Sequence, residues 1–120
     1  MDIMQLIFVI IIALFVILRF LPTKGVTNIT IQEAKDKLKD KDIQFIDVRT
    51  PGEYKANHQA RFKNIPLANL AGQQINKLDK EKEIVVICQS GMRSKQAAKL
   101  LKKQGFQQIY NVRGGMSAWH

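Results

Sequence analysis

The single cysteine of this chain, Cys88, stands in a context that favours thiol chemistry. It directly follows Ile84–Ile87, a short, apolar, β-branched run that predicts a strand buried on both faces. Behind it come Gln89-Ser90-Gly91-Met92-Arg93-Ser94 and an apolar pattern typical of a helix. A loop between a parallel strand and a helix lies at the carboxyl edge of the sheet, where open α/β folds bind ligands. The sequence therefore predicts a nucleophilic thiol at the start of a ligand-binding loop.

The loop after Cys88 contains the groups that a reactive thiol needs. At the usual thiol pKa of about 8.5, only roughly 3% of a cysteine is ionised at pH 7. Loop amides and the positive end of the following helix can converge on the sulfur, and Gly91 permits the tight turn that this requires. Arg93 is expected to add a fixed cation. We expect this loop to stabilise the thiolate and an anionic group bonded to it; an inert buried thiol is the alternative.

Three charged residues follow another apolar run and are candidates for a supporting role. Asp47, Arg49 and Glu53 come at or after the end of the predicted strand Ile43–Val48, at the same edge of the sheet as Cys88. We interpret them as a network of charges and hydrogen bonds that supports the site, with direct catalysis as the alternative. His58 is expected to bond a backbone group rather than to act as a base for Cys88.

Strand-like and helix-like segments alternate along the chain, which predicts an α/β domain with a mainly parallel sheet. The predicted strands are Val26–Ile29, Ile43–Val48, Ile84–Ile87 and Gln108–Val112, with a short extended piece over 64–67. The predicted helices run from the capping box of Thr30 and Glu33 to about Lys39, from Pro51 to about Asn57, over 69–78, from the cysteine loop to Gly105, and around Trp119.

The N-terminal segment is the most apolar part of the chain. Residues 3–21 are interrupted only by Gln5 and Arg19, and as a helix they reach roughly 28 Å, close to the hydrocarbon core of a bilayer at roughly 30 Å. This pattern predicts an uncleaved transmembrane helix. A cleaved signal peptide is disfavoured because Asp2 is the only side-chain charge before the run and no small-residue cleavage site follows it.

The charges around this segment predict its orientation and the division of the chain. Arg19 lies at the end of the apolar run, and Lys24 and Lys35 follow it, so the positive-inside rule puts the rest of the chain in the cytoplasm. We therefore expect an anchor and linker over 1–24 and a domain over 25–120, giving a single-pass protein of the cell membrane.

The composition excludes several classes of protein. With 46% hydrophobic and 24% charged residues, the chain is neither disordered nor collagen-like. The net charge of +9 suits a solvated surface near anionic lipids, and nucleic acid is not an expected partner because no basic run is interleaved with aromatics. A lone cysteine cannot form an internal disulfide or a cysteine-based zinc cluster, and no metal or cofactor is implied.

Three motifs in the chain resemble those of the rhodanese-like (sulfurtransferase) family over roughly residues 29–119. They are Asp47-Val48-Arg49-Thr50-Pro51-Gly52-Glu53-Tyr54, the loop 88–94, and Val112-Arg113-Gly114-Gly115 followed by Trp119. The resemblance implies a rhodanese-like fold and a Cys88 persulfide. The sulfur donor would be thiosulfate or a persulfide, and the acceptor a thiol, cyanide or a protein. Residues 89–94 would bind the substrate, and Arg93 would favour anionic donors.

The sequence departs from the family at one segment and leaves rival functions open. Gln59, Ala60 and Arg61 replace residues that are usually apolar, Pro and Gly, so the conformation of the loop over 57–63 is left open. A phosphatase or arsenate reductase is disfavoured because its loop is one residue longer than Cys88 to Arg93. The remaining alternative is a membrane-tethered interaction or sulfur-carrier module without turnover of its own.

Overall fold

A five-stranded parallel sheet organises the domain. The structure, a computed structural model, describes residues 2–20 and 25–119. The strands are β1 (Val26–Ile29), β2 (Gln44–Asp47), β3 (Lys63–Asn64), β4 (Ile84–Ile87) and β5 (Ile109–Val112), in the order β1-β5-β4-β2-β3. Every described pairing is parallel. The α/β fold and the parallel sheet predicted from the sequence are confirmed.

The central position of β4 follows from its composition. All four of its residues are fully buried. Ile84 and Val86 pack into one hydrophobic cluster, while Val85 and Ile87 pack into another on the opposite face of the sheet. Because side chains alternate between the faces of a strand, only an apolar run without polar interruption suits this position. The strand ends at the edge of the sheet where Cys88 begins the loop.

Helices cover both faces of this sheet. The helices are α1 (Ile3–Phe20), α2 (Ile31–Lys37), α3 (Pro51–Ala56), α4 (Met92–Lys103) and α5 (Gly115–Ala118). Buried residues of α4 pack on one face, and residues of α2 and α5 pack on the other. The predicted capping box of Thr30 and Glu33 is present, and Thr50 with Glu53 forms a second one. These caps satisfy backbone N–H groups that a helix start otherwise leaves unpaired.

The prediction of an α-helix over 69–78 is wrong. Two short 3₁₀ turns, Leu67–Asn69 and Gln73–Lys77, occupy this part of the chain. Gly72 separates them in an extended conformation, with φ −89° and ψ −166°, which interrupts helical hydrogen bonding. Leu70 and Ile75 are nevertheless buried. The apolar spacing therefore predicted the correct buried residues but the wrong type of helix.

The loop over 57–63, left open by the sequence, is held by Arg61. Its guanidinium donates hydrogen bonds to the backbone carbonyls of Leu38, Asp40 and Ile43. It also lies over the ring of Phe45, with 4.6 Å between its central carbon and the ring centroid. A cation that binds several carbonyls and an aromatic face fixes a loop that lacks the Pro and Gly of the family pattern.

The helix α1 carries apolar side chains that are exposed, such as Phe8 at 65% and Phe15 at 64%. Among the residues that the structure describes, none of the helices combines the length and apolar character needed to cross a bilayer. The transmembrane helix predicted over 3–21 is therefore not supported. The uninterrupted apolar run within α1, Leu6–Leu18, rises only about 20 Å against a hydrocarbon core of roughly 30 Å. The predicted linker over 22–24 lies outside the described residues.

Candidate active site at Cys88

Cys88 lies at the carboxyl end of β4, and its backbone is fixed by the last helix. The Cys88 carbonyl accepts a hydrogen bond from the Met116 amide at 2.8 Å, and the Gln89 carbonyl accepts one from the Ser117 amide at 2.9 Å. Gly115 precedes these two donors and has φ +56°. The first turn of α5 therefore holds the start of the cysteine loop, a contact that the sequence analysis did not foresee.

The loop turns back over the sulfur at Gly91. This residue has φ +101°, a left-handed conformation that glycine adopts without a Cβ penalty, and α4 begins immediately after it. The Gly91 amide donates a hydrogen bond to the Cys88 sulfur at 3.0 Å. The side chain of Cys88 is free of any disulfide and fully buried. The predicted arrangement, a thiol below a turn of amides at a helix start, is the one observed.

Two opposing effects act on the pKa of the Cys88 thiol. Burial raises the pKa because it removes the thiolate from water. Hydrogen bonds from the Ser94 side chain and from the amides of Ser94, Gly91 and Ser90 lower it, because they favour the anion. The net result is a pKa below the usual thiol value. Polar groups of the loop thus outweigh the desolvation that would keep an ordinary buried cysteine protonated.

The residues after β2 form a buried network behind the loop. Arg49 is 2% exposed and makes a salt bridge to Asp47, with 2.8 Å between Nη2 and Oδ2. It also donates to the Asn57 carbonyl and to Oε1 of Gln89, the latter at 3.3 Å. Gln89 in turn donates to Ser117 at 3.1 Å. This is the geometry expected of a supporting network, because it links the loop to two neighbouring segments without contacting the sulfur.

Arg93, which the sequence predicted to add a fixed cation beside the sulfur, is paired with a carboxylate. Its guanidinium forms two hydrogen bonds with the Glu53 carboxylate, at 2.6 and 2.8 Å. The hydrogen bond from Arg93 lowers the pKa of Glu53 to about 2. Both side chains are about one-third exposed. Because a carboxylate largely offsets its charge, Arg93 is a weaker attractor of anions than its position in the loop predicts.

A cavity of about 250 Å³ borders the opposite side of the loop. Lys95 and Arg113 contribute cationic side chains, and within the described part of the chain neither makes a salt bridge. Neither residue was predicted from the sequence to belong to the site. The position of Arg113 could have indicated it, because Arg113 follows β5 at the same sheet edge as Cys88. The lining residues are Asn28, Ser90, Gly91, Met92, Lys95, Asn111, Arg113 and Gly114.

The remaining predicted residues occupy distinct positions. Ser94 is fully buried beside the sulfur, whereas Ser90 is exposed and Met92 is 73% exposed. His58 contacts the Tyr54 carbonyl through Nδ1 at 2.8 Å and stacks on the Tyr54 ring at 3.9 Å. A backbone partner for His58 is what the sequence analysis predicted.

Comparison with known proteins identifies the class of this domain. A model of the rhodanese-like domain family matches residues 30–120. The chain therefore belongs to the rhodanese-like domain family, and the three motifs quoted above all lie within the matched residues.

Individual relatives agree with this assignment. The thiosulfate sulfurtransferase GlpE of Pseudoalteromonas translucida is 33% identical over 92 residues, covering 77% of this chain and 87% of GlpE. The putative sulfur carrier protein YrkF of Bacillus subtilis is 37% identical over 96 residues, which cover 79% of this chain and 51% of YrkF. A crystal structure of a rhodanese-like domain protein from Staphylococcus aureus superimposes with a TM-score of 0.71 at 33% identity, covering 78% of this chain and 91% of that one.

Proposed function

We propose that the protein is a sulfurtransferase that carries sulfane sulfur on Cys88. The observation that supports this most directly is the hydrogen bond from the Gly91 amide to the buried Cys88 sulfur, within a loop that lowers the thiol pKa. A thiolate is the form of cysteine that attacks sulfur. The similarity to a thiosulfate sulfurtransferase supports the same reaction.

The proposed reaction has two half-steps. In the first, the Cys88 thiolate attacks the outer sulfur of thiosulfate, the sulfur–sulfur bond of the donor breaks, and sulfite leaves with the bonding electron pair. In the second, a thiol or cyanide attacks the terminal sulfur of the Cys88 persulfide, and the Cys88 thiolate leaves. No electrons are gained or lost overall, so no redox cofactor is needed. The loop amides that lower the pKa of the thiol would also stabilise the persulfide anion.

We place the anionic part of the donor in the cavity beside the loop. Its two cations, Lys95 and Arg113, have no carboxylate partner among the described residues, whereas Arg93 is held by Glu53. An unpaired cation attracts an anion more strongly than one whose charge is already offset. Because Cys88 has no exposed surface, part of the loop over 89–94 must move before a donor can reach the sulfur.

Steady-state kinetics test this function. We expect the full-length chain to convert thiosulfate and cyanide to thiocyanate with parallel double-reciprocal plots, since the persulfide separates the two half-reactions. Cys88→Ser should abolish turnover, and the control variant Lys103→Gln, at an exposed position at the far end of α4, should fold equally well and retain turnover. Undiminished turnover in Cys88→Ser would refute the proposal.

A sulfur-carrier role is the second candidate, favoured by the similarity to YrkF. A carrier would accept one sulfur per chain and release it only to a particular protein. The same kinetic experiment separates the two functions. A carrier would show one stoichiometric burst of sulfite without continued thiocyanate formation, whereas an enzyme would show both.

We also propose that α1 attaches the protein to a lipid bilayer, with the domain on the cytoplasmic side. Large apolar side chains of this helix are 46 to 76% exposed, and Arg19 and Lys24 follow the apolar run. Exposed apolar surface of this extent favours a non-aqueous partner. We expect vesicles of anionic lipid to retain the full-length chain in a flotation assay and to lose a variant without residues 1–24. Digestion of the domain by protease outside intact cells would contradict the orientation.

A further inference from the structure

Four polar side chains form a line that begins at the Cys88 sulfur. The sulfur lies 3.3 Å from the Ser94 hydroxyl, and that hydroxyl donates to Oδ1 of Asn111 at 2.5 Å. Nδ2 of Asn111 then donates to Oδ1 of Asn28 at 3.0 Å. Ser94 is fully buried and Asn111 is 4% exposed. Ser94, in the middle of the line, therefore bonds to protein groups rather than to bulk water.

The Ser94 hydroxyl has one proton and more than one acceptor within reach. Besides Asn111, the Gly91 carbonyl lies 3.2 Å away. While Cys88 is a thiol, its S–H donates to the Ser94 oxygen and leaves the hydroxyl proton for Asn111. Once Cys88 is a thiolate, the sulfur becomes a third acceptor. The hydroxyl must then turn away from Asn111 to stabilise the anion.

The orientation of Asn111 is fixed by the sheet. Asn111 on β5 and Asn28 on β1 are register partners, so strand pairing alone places the two amides side by side. The bond from Nδ2 to Asn28 directs Oδ1, the acceptor end of the amide, toward Ser94. Asn111 therefore presents a fixed acceptor to the same proton that the thiolate needs.

We propose that Asn111 is a positioning residue that competes with the Cys88 sulfur for the single hydroxyl proton of Ser94. In the resting site Asn111 holds that proton, which favours the thiol. Release of the proton to the sulfur favours the thiolate that attacks the donor. This inference rests on the proposed function, because control of the Ser94 proton matters only if the Cys88 thiol reacts. The experiment that tests it measures the ionisation of Cys88 and does not require sulfur transfer.

Among the described contacts, none of the charged side chains around the loop forms a hydrogen bond with Asn111. On the β2 and α3 side they are Asp47, Arg49, and Glu53 with Arg93 of α4, all in salt bridges. On the β5 side they are Arg113 and, from α4, Lys95. None of these side chains donates a hydrogen bond to the sulfur among the described contacts. A change in the ionisation of Cys88 caused by a neutral substitution at Asn111 therefore reports on Ser94.

The test is a double-mutant cycle read out by the pH dependence of alkylation, since the lone cysteine gives an unambiguous signal. Asn111→Leu keeps the number and branching of the side-chain heavy atoms and removes the acceptor, so we expect the Cys88 pKa to fall by about one unit, the order of one hydrogen bond. Ser94→Ala should raise it. The double variant should match Ser94→Ala, because Asn111 acts only through the hydroxyl.

A second variant keeps the test decisive if Asn111→Leu folds poorly. Asn28→Leu, at an exposed position, removes the partner that orients Asn111, and we expect a smaller decrease in pKa that again requires Ser94. An unchanged pKa in both single variants, or a decrease that persists in the Ser94→Ala background, would overturn the inference. If the protein transfers no sulfur, the proposed function fails, but the pKa values of these variants still test the role of Asn111.

Discussion

Gly115 lies directly against the backbone of Cys88. A Cβ atom at Gly115 would stand 2.2 Å from the Cys88 carbonyl oxygen and 2.9 Å from its carbonyl carbon. Backbone atoms cannot rotate away as a flexible side chain can, so any other residue at this position would displace the start of the cysteine loop.

This relationship predicts the effect of the smallest possible substitution. Gly115→Ala should destabilise the fold by about 1 to 3 kcal/mol, the usual range when an added atom forces a backbone shift in a packed site, and reduce sulfur transfer at least tenfold. Gly52→Ala is a matched control because its Cβ would meet nothing within 4 Å. Thermal unfolding and turnover of both variants measure the effect. Equal stability of the two variants would show that the loop accommodates the added atom.

The Glu53–Arg93 pair predicts a pH dependence of stability. Glu53→Gln removes the charge but keeps an acceptor for the capping box with Thr50. Because both partners are about one-third exposed, we expect the substitution to cost about 0.5 to 1 kcal/mol of unfolding free energy at pH 7.

The sign of this dependence follows from the lowered pKa of Glu53. The carboxyl has a pKa of about 2 in the folded protein against 4.5 as its ordinary value. Its contribution is fully present above pH 4.5 and is lost as the pH falls toward 2. Denaturant titrations of both proteins across this range should show the difference shrinking on acidification. A constant difference would contradict the role of the charge.

The cavity cations predict where anionic donors are recognised. Lys95→Gln and Arg113→Gln should each raise the KM for thiosulfate about three- to tenfold, the effect of losing roughly 1 kcal/mol of attraction, and added salt should reduce the difference. Lys103→Gln, at the far end of α4, is the matched control. If KM is unchanged in both cavity variants and rises strongly in Arg93→Gln, then Arg93 rather than the cavity cations recognises the anionic donor.

Local features of this protein were predictable and long-range pairings were not. The strand Ile84–Ile87 and the capping box at Thr30 appear where the sequence places them, because composition and spacing within a few residues determine them. The pairing of Arg93 with Glu53 joins residues 40 positions apart, and no local sequence pattern predicts it. The proximity of Gly115 to Cys88 likewise depends on the neighbouring positions of β4 and β5 in the sheet.

Sulfur transfer by this protein requires that the buried sulfur of Cys88 become a persulfide. Intact-mass spectrometry of the full-length chain, after incubation with thiosulfate and removal of excess donor, detects that species. We expect a gain of about 32 Da, one sulfur atom, located on Cys88 and removed by cyanide, since a covalent intermediate is the basis of the proposed mechanism. A mass that stays unchanged in a folded protein, or a gain that persists in Cys88→Ser, would show that Cys88 does not carry the sulfur.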